Sequence, residues 1–418
     1  MSQVHDSHGR PVPLARHLKQ FRSVLAVSKT GSTAHAAGLL PLSQSAIARA
    51  IRELEASLGV TLFERAARGM LLTPEGRLLA RRAERAFEQL VLAETEVRNF
   101  VGQDAAAARL PAGRFSGSCA YRHLETYIAF CATGGETAAA AQLGISQPAV
   151  NQTLRQLEHL LGDKLFQRSL RGMRLTESGE AVLRRAKLAL AEFRQAEEDM
   201  AALHGKMVGR LVIGSLPLSS GVLVPRAVDR VLAMHKDIHV TIVDGTYDSL
   251  MHQLRHADVD VIVGALRSLE PNSDVVQEAL FEDTLSVVAR QGHPLMGAAP
   301  RGLRDLIGEQ WIAPLSGTPA RAAFERAFAA DGVAPPRAPL EVNSPVVLQA
   351  LLMDSNRLAL LSRRQIIRGV SAGLLQVVPV PVKETSRHIG LTTRADADPS
   401  ASLISLIAEL RALSEPAN

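Results

Sequence analysis

The chain has 418 residues, of which 46% are hydrophobic and 21% charged, and a formal net charge of +5, values typical of a globular protein of about three domains. Its aromatic content of 4% disfavours proteins that bind single strands by base stacking. Two cysteines are too few for a disulfide framework, as expected in a reducing cytosol. Residues 1–16 contain no apolar segment that could serve as a signal peptide or membrane span, so we expect a cytoplasmic protein with a disordered tail over 1–16.

Basic charge is concentrated in the first half of the chain. Residues 1–106 contain 14 basic and 10 acidic side chains, residues 107–207 contain 13 and 10, and residues 208–418 contain 20 and 22. A polyanionic partner would therefore bind the first half.

That first half contains a repeat. Residues 21–83 align with residues 124–186 without a gap, at a constant offset of 103 positions and with about 26 identities in 63 positions. Solenoid repeats have periods of about 20 to 50 residues, so this period indicates two whole domains. The segment 103–117 between them is rich in Ala, Gly and Pro, which predicts a flexible linker.

Each copy predicts three helices in succession. Apolar residues at helical spacing are followed by a break at Gly31 or Gly134, by a helix of small residues, and by a third helix that starts after Ser43 or Ser146. A serine hydroxyl at that position caps backbone N–H groups of the helix that follows. Apolar side chains take the inner face of this third helix. The outer face is left with Gln44, Ser45, Ala48, Arg49 and Arg52 in the first copy, and with Gln147, Pro148, Asn151, Gln152 and Arg155 in the second.

These outer faces carry the chemistry of duplex recognition. Gln and Asn bond adenine edges, Arg binds guanine or phosphate, and a helix fits the major groove. A short hairpin follows each helix, over 65–73 and 168–176, and would place arginines against the DNA backbone or minor groove. A merely solvated helix face is the alternative, and the same pattern in both copies disfavours it. The predicted DNA-binding residues are Ser43, Gln44, Ser45, Arg49, Arg52, Arg65, Arg68, Ser146, Gln147, Pro148, Asn151, Gln152, Arg155, Arg168 and Arg171.

Both copies resemble the DNA-binding domain of LysR-type transcriptional regulators. The second copy carries that family's pattern in Ser146-Gln147-Pro148-Ala149-Val150, Leu157-Glu158, Leu161-Gly162, Leu165-Phe166, Arg168 and Leu175-Thr176. The resemblance implies winged helix-turn-helix domains over 17–73 and 118–176. The first copy departs from the family pattern at Ser45 and Ala48, where Pro and a polar residue are usual. Two interpretations of this copy stay open, namely contact with DNA through its arginines and binding of a partner protein.

A long helix is predicted after each copy, over 74–102 and 177–206. Apolar residues recur at near-heptad spacing between Arg and Glu, a pattern typical of helices that pair. In LysR-type proteins this linker helix pairs with the same helix of a second subunit. One chain here supplies two such helices, so we hypothesise an internal pair of winged domains; a degenerate first copy is the alternative.

From residue 207 the pattern alternates between strands and helices, which predicts a parallel sheet flanked by helices. This part resembles the two-lobed effector-binding domain of LysR-type regulators, itself similar to periplasmic binding proteins. We predict lobe I over 207–265 and 385–418 and lobe II over 266–384, with a ligand cleft at the carboxyl ends of the strands. Polar residues at strand ends and helix starts suit a small carboxylate, and helix capping is the alternative for each of them. The predicted effector-binding residues are Ser215, Ser219, Ser220, Thr246, Ser316, Thr318, Asn343 and Ser344.

No rival chemistry stands out in the sequence. His252 and His256 lie on one helical face near Asp258, but they supply only half of a zinc site, so no metal or cofactor is predicted. No catalytic or phosphate-binding motif is present. We therefore predict a regulator, not an enzyme, that binds double-stranded DNA and a small-molecule effector, forms a homo-oligomer (a dimer or tetramer) and has no membrane partner. A two-lobed ligand-binding protein or enzyme is the alternative.

Overall fold

The computed structural model describes residues 13–67, 69–100, 110–169, 172–219, 221–297 and 300–415. The chain divides into two compact units, Met1–Gly209 and Arg210–Asn418. We call the first the winged unit and the second the α/β unit.

The winged unit consists of two copies of a three-helix and hairpin domain, each followed by a long helix. In chain order it contains the 3-10 turn Leu14–His17, α1 (Leu18–Thr30), α2 (Thr33–Ala36), α3 (Gln44–Leu58), β1 (Phe63–Ala66), β2 (Gly69–Leu72), α4 (Pro74–Phe100), α5 (Arg114–Ser118), α6 (Tyr121–Thr133), α7 (Glu136–Leu143), α8 (Gln147–Leu161), β3 (Phe166–Ser169), β4 (Gly172–Leu175) and α9 (Glu177–Leu203).

Apolar spacing fixes which faces of α3 and α8 are buried. Their inward residues are four apolar side chains in each helix, at most 9% exposed: Ile47, Ile51, Leu54 and Leu58, and Val150, Leu154, Leu157 and Leu161. Both helices end at a glycine with a left-handed backbone, Gly59 (φ 66°) and Gly162 (φ 74°), a conformation that glycine adopts without a steric penalty. The opposite, polar face of each helix therefore points away from the core.

The two helix starts differ in their caps. The Ser43 hydroxyl accepts a hydrogen bond from the Ala46 N–H at 3.2 Å, as predicted. Ser146 makes no side-chain cap, contrary to the prediction, and Pro148 occupies the first turn of α8 instead. Proline stabilises a helix start through its fixed φ and needs no acceptor for an N–H.

Two segments predicted to be disordered or flexible are partly ordered. The predicted tail, 1–16, lies outside the described residues up to 12, but Leu14–His17 forms a 3-10 turn in which Leu14 and Ala15 are 4% exposed. Within the predicted linker, 103–117, residues up to 109 lie outside the described ranges. Its second part enters α5, whose Phe115 is fully buried. In both places one or two apolar side chains find a core that composition alone does not reveal.

The long helices α4 and α9 pack against each other within the chain. Each spans 27 residues, slightly less than predicted. They run antiparallel, since Glu75 at the start of α4 lies 3.7 Å from His204, just after the end of α9. Buried residues from both helices belong to one continuous apolar core.

The α/β unit follows the predicted alternation closely. It contains β5 (Gly209–Ser215), α10 (Leu223–Met234), β6 (Ile238–Asp244), α11 (Tyr247–Arg255), β7 (Val261–Ala265), β8 (Val275–Asp283), β9 (Leu285–Arg290), 3-10 turns at Pro294–Gly297 and Leu303–Leu306, β10 (Ile312–Ala313), α12 (Pro319–Ala330), β11 (Leu340–Glu341), α13 (Pro345–Met353), β12 (Ala359–Ser362), α14 (Arg363–Ser371), β13 (Leu375–Val377), β14 (Arg387–Arg394) and α15 (Ala401–Ala412). Helix α14 is absent from the sequence prediction.

The strands of this unit form two main sheets, one in each lobe. The first has the order β6-β5-β7-β14-β8 and the second β12-β9-β13, with a small β10-β11 pair beside it. The first sheet is mixed instead of parallel, since β5 and β7 are parallel but β14 is antiparallel to β7 and β8.

The predicted lobe boundary is therefore wrong for 266–283. Strand β8, assigned to lobe II by the sequence, pairs with β14 in the sheet of lobe I. No helix lies between β7 and β8, so the chain does not make the right-handed crossover that a parallel neighbour requires. The chain enters lobe II only after Asp283.

Candidate DNA-reading surfaces and ligand cavity

The outer face of α3 is exposed and polar. Gln44, Ser45, Arg49 and Arg52 are all exposed, on the side opposite the buried apolar residues. The Gln44 side-chain amide donates to the Thr33 hydroxyl at 3.3 Å, across to the start of α2. Four polar side chains on one helix face, two of them arginines, match the requirements of a major-groove reader.

The outer face of α8 differs by an acidic neighbour. Gln147, Pro148, Gln152 and Arg155 are exposed, and with Asn151 they border a shallow hollow that also includes Glu136. The Glu136 carboxylate accepts from Gln147 Nε2 at 3.1 Å and from Asn151 Nδ2 at 2.6 Å. The α8 face thus presents two amides whose orientation is fixed by a carboxylate.

The hairpins carry the predicted wing arginines. Strands β1 and β2 are antiparallel with Phe63 opposite Leu72, and β3 and β4 pair Phe166 with Leu175 in the same register. Arg65 and Arg168 occupy equivalent, exposed positions. The other two predicted wing residues, Arg68 and Arg171, lie outside the described residues.

A cavity of about 380 Å³ lies between the two lobes of the α/β unit. Its polar lining includes four of the predicted effector residues, Thr246, Ser316, Thr318 and Asn343. Apolar wall is supplied by both lobes, with Leu216 and Leu218 from one and Ile312 and Leu348 from the other. This mixture of apolar wall and a few polar groups is typical of small-molecule sites.

Three other predicted effector residues, Ser215, Ser219 and Ser344, do not line the cavity. Ser215 and Ser219 are buried, with their hydroxyls 3.2 Å apart and that of Ser219 donating to the Val263 carbonyl at 2.6 Å. Ser344 caps α13 by accepting from the Val347 N–H at 3.4 Å. Ser220 lies outside the described residues. Three of the eight predicted effector residues therefore have hydroxyl groups that form hydrogen bonds within the protein.

Arg267, which sequence reasoning missed, lines the cavity. Its guanidinium lies over the Tyr247 ring, 4.0 Å from the ring centroid. Among the described residues its buried Nε has no hydrogen-bond partner. A buried donor without an acceptor costs about 1–3 kcal/mol, so an anionic ligand oxygen would be stabilised here. Arg267 comes two residues after β7 ends, and a search of strand ends for charged as well as hydroxyl groups would have found it.

A second arginine of the cavity wall is already paired. Arg387 binds Asp283 through Nη2 at 3.0 Å, and both side chains are at most 10% exposed. Asp283 also accepts from the Ser362 hydroxyl at 2.6 Å. Burial lowers the Arg387 pKa more than the Asp283 charge raises it, but an arginine keeps its proton at any physiological pH. The pair acts as a fixed, neutral part of the wall.

The fold now defines a class of protein. Two winged helix-turn-helix domains with polar outer helices, in one chain with a two-lobed domain that encloses a cavity, are the parts of a transcription regulator with a ligand-binding domain. Within the described ranges, no helix is both long and apolar enough to cross a bilayer.

Family comparisons identify which regulators these are. The family described as bacterial regulatory helix-turn-helix protein, lysR family, matches residues 18–77 and again 121–180. The LysR substrate binding domain matches residues 204–414. The chain belongs to the LysR family of transcriptional regulators, and its helix-turn-helix domain is present twice.

Two curated relatives differ in how much of the chain they cover. The HTH-type transcriptional regulator GalR of Pseudomonas putida is 35% identical over 396 residues, 94% of this chain and 96% of the relative, so that alignment extends through both winged domains. The HTH-type transcriptional regulator PcaQ of Agrobacterium fabrum is 31% identical over 291 residues, 70% of this chain and 94% of the relative. PcaQ is thus shorter by about the length of one winged domain with its long helix.

Solved structures of the family share the fold. Full-length OxyR C199D from Pseudomonas aeruginosa is 21% identical with a TM-score of 0.53, covering 69% of this chain and 94% of that one. CbnR, a LysR family transcriptional regulator, is 20% identical with a TM-score of 0.52, covering 71% and 100%. A structure of full-length CbnR complexed with the target DNA gives the same TM-score at 22% identity, again covering 71% and 100%.

Proposed function

We propose that this regulator acts in the cytoplasm, that it binds double-stranded DNA through α3, α8 and the two hairpins, and that a small organic acid bound in the interlobe cavity controls it. Chains associate into a homo-oligomer, a dimer or a tetramer. The first part rests on the two outer helix faces and the second on Arg267. The chain has no membrane partner in this proposal.

The observation that carries DNA binding is the division of α3 and α8 into two faces. Each buries four apolar residues and exposes Gln and Arg, so the exposed groups are free of any role in the core. Amide and guanidinium groups on an exposed helix bond base edges in the major groove. Exposed Arg65 and Arg168 on the hairpins would bind phosphates, which positions the helices without reading sequence.

A carboxylate is the ligand chemistry that best fits the cavity. Arg267 offers a buried N–H without an acceptor, and Thr246, Ser316 and Asn343 add uncharged hydrogen-bonding groups around an apolar wall. Arginine binds carboxylates through two parallel hydrogen bonds. Ligand binding changes the regulator only to the extent that the ligand binds its conformations with different affinities.

The cavity wall argues against an enzyme. Among the described residues that line it there is no His, Cys or Lys, and the single carboxyl is that of Asp248. General acid-base catalysis most often uses such a group, and a serine or threonine nucleophile needs one as the base that activates it. Turnover of a bound acid, detected as a new product by mass spectrometry, would contradict this part of the proposal.

DNA binding is tested by selecting duplexes from a random pool with the full chain. Gln147→Ala should lower affinity for the selected duplex about tenfold and leave affinity for a scrambled duplex unchanged. Arg168→Ala should weaken both duplexes alike and reduce the slope of log affinity against log salt by about one. A chain that selects no duplex, or variants that change neither affinity, would refute DNA binding by these elements.

Ligand chemistry is tested by thermal unfolding with benzoate, hydroxybenzoates and short dicarboxylates as probes, since ligands that bind the folded state raise the unfolding temperature. At least one probe should do so in the wild type and not in Arg267→Ala. The matched control is Arg364→Ala, because Arg364 also stacks on an aromatic ring, at 4.2 Å from the Phe281 centroid, but does not line the cavity. An unchanged response in Arg267→Ala excludes the carboxylate role of Arg267.

A further inference from the structure

Helices α4 and α9 bury the same face of the repeat against each other. Six apolar positions of α4 are at most 1% exposed, and the six positions 103 residues later in α9 are equally buried. The equivalent pairs are Leu79 and Val182, Ala83 and Ala186, Ala86 and Ala189, Leu90 and Phe193, Ala93 and Ala196, and Val97 and Met200. A contact made by the same patch of both partners is isologous, which is the geometry of a two-fold dimer.

Two arginines make equivalent polar contacts across this pair. Arg82 of α4 donates from Nη1 to Glu192 at 3.0 Å and from Nε to Asp199 at 2.7 Å. The equivalent residue of α9, Arg185, donates from Nη1 to Gln89 at 2.8 Å and from Nε to Glu96 at 3.1 Å. These acceptors are themselves equivalent, since Gln89 and Glu96 lie 103 positions before Glu192 and Asp199.

The segments that lead into the two winged domains are also bound reciprocally, each by the long helix of the other copy. Glu94 of α4 accepts from the backbone N–H of Gly113 at 2.9 Å, just before the second winged domain. Its equivalent in α9, Glu197, accepts from the backbone N–H of Leu14 at 2.5 Å, just before the first. Each long helix therefore binds the segment that leads into the winged domain of the other copy. The pairing surface of the long helices is thus occupied inside one chain.

We call the packed helices α4 and α9 the internal pair. The two reading helices that belong to it, α3 and α8, differ in sequence. At equivalent positions, α3 has Ser45, Ala48 and Arg49 where α8 has Pro148, Asn151 and Gln152. The acidic neighbour of α8, Glu136, corresponds to Thr33 in the first copy. Arginine favours guanine, whereas glutamine and asparagine favour adenine. Two half-sites of identical sequence would therefore match the base preference of only one of the two helices.

We propose that a single chain binds two adjacent half-sites of different sequence, one through α3 and one through α8, so that its operator is asymmetric. This inference rests on the proposed function, because it assigns a partner to each of the two reading helices. It differs from a dimer of chains, in which the same helix of each chain reads both halves of a palindrome.

The test is an exchange between two equivalent residues of the full chain, R49Q and Q152R, each followed by selection from a random duplex pool. The wild type should select two unlike half-sites. R49Q should change the preferred bases in one half only, and Q152R in the other half only, each with about a tenfold loss of affinity for the wild-type duplex. Arg77→Gln is the charge control, because it removes one positive charge from an exposed residue outside both reading helices and should leave the selected sequence unaltered.

Each outcome decides the proposal. A palindrome whose halves both change in Q152R, with no effect of R49Q, overturns the internal pair as the reading unit while DNA binding stands; it also indicates that the first copy binds something other than DNA. A single selected half-site overturns the proposal in the same way. A wild-type chain that selects no sequence refutes the proposed function itself.

Discussion

Glu136 shows how one residue separates the two reading faces. It accepts hydrogen bonds from both Gln147 and Asn151, so each amide has its NH₂ group turned toward the carboxylate. Thr33, the equivalent residue of the first copy, accepts a hydrogen bond from the amide of Gln44. A carboxylate near DNA also repels phosphates, which lowers affinity for all sequences alike.

The substitution Glu136→Thr should therefore weaken specificity and strengthen nonspecific binding. Once released, each amide can turn either way. The difference in binding free energy between selected and scrambled duplexes should therefore fall by about 1–3 kcal/mol, while affinity for scrambled DNA rises because a negative charge is lost. Fluorescence anisotropy with both duplexes measures this. Thr33→Ala is the matched control and should change neither quantity as much; an unchanged ratio in Glu136→Thr would contradict the role of the carboxylate.

Both cysteines are shielded from chemistry. Burial raises the pKa of Cys119 and of Cys131 to about 12, so each thiol stays protonated at pH 8, and the thiolate is the reactive form. We expect iodoacetamide to modify the folded chain far more slowly than the urea-unfolded chain. Since the unfolded thiols ionise near pH 8.5, this shift lowers stability as pH rises above that value. Equal alkylation rates in the folded and unfolded chain would contradict the burial.

At this scale the sequence predicts which residue types matter, but not which way they face. Two of the predicted effector residues, Thr246 and Asn343, line the cavity. Ser215 and Ser219 turn inward instead, where the Val263 carbonyl accepts from Ser219. Arg267 is charged, whereas all the effector-binding residues predicted from the sequence are uncharged. The direction of a side chain at a strand end depends on the neighbouring strand, which the local sequence does not specify.

One arginine bridges α4 and α9 near each end of the antiparallel pair. Arg82 is 3% exposed and is shared between Glu192 and Asp199. Burial opposes its charge, but the two carboxylates outweigh this and raise its pKa. Its equivalent, Arg185, is less buried at 17% exposed.

Arg82→Ala should open the helix pair locally. It leaves two carboxylates with less compensation in a buried site, at a cost of about 3–5 kcal/mol. Amide hydrogen exchange, followed by mass spectrometry, should accelerate in both α4 and α9 and stay constant in α12 of the other unit. Arg185→Ala should have a smaller effect of the same kind. Exchange that accelerates in α4 alone would contradict the pairing.

Each winged domain meets its long helix at a glycine. A Cβ on Gly76 would lie 2.2 Å from the Leu62 carbonyl oxygen, and one on Gly179 would lie 2.2 Å from that of Leu165. No side chain fits at such a distance from a backbone atom. Gly76→Ala and Gly179→Ala should each lower the thermal unfolding midpoint by several degrees, because the hairpin must move away from the helix. Gly117→Ala is the control, since nothing lies within 4 Å of its Cβ position; equal midpoints in all three variants would contradict the close approach.

Most elements of the α/β unit could be predicted from alternation, because strands and helices there are short and clearly separated. Two failures have physical causes. Helix α14 is basic and weakly apolar, and only Ile366 and Gly369 are buried in it, so its sequence resembles a loop. The sequence around β8 does not specify which of the two sheets the strand joins. Its pairing with β14, more than 100 residues away in the chain, decides that.

At the scale of the whole molecule, the proposal that one chain reads two half-sites predicts the ratio of chain to DNA. When two winged domains belong to one chain, the effective concentration of each around the other is about millimolar. Their pairing is therefore independent of protein concentration. Any association between chains adds further complete pairs and does not alter this ratio.

A titration of a short duplex with two half-sites should therefore saturate at one chain per duplex. Both components are kept well above the dissociation constant, and the break point is read from anisotropy. The same ratio is expected at low and high protein concentration. A break at two chains per duplex would show that winged domains of different chains pair on the DNA, which contradicts the internal pair.

The equivalence of α4 and α9 has a consequence for inheritance. In a homodimer one codon change alters both reading helices, so both halves of every operator must tolerate it together. In the proposed arrangement Arg49 and Gln152 contact different half-sites, and we expect a change at one of them to leave the other half-site bound as before. Such a regulator would acquire a new target sequence one half at a time, while Arg82 and Arg185 hold the helices α4 and α9 together.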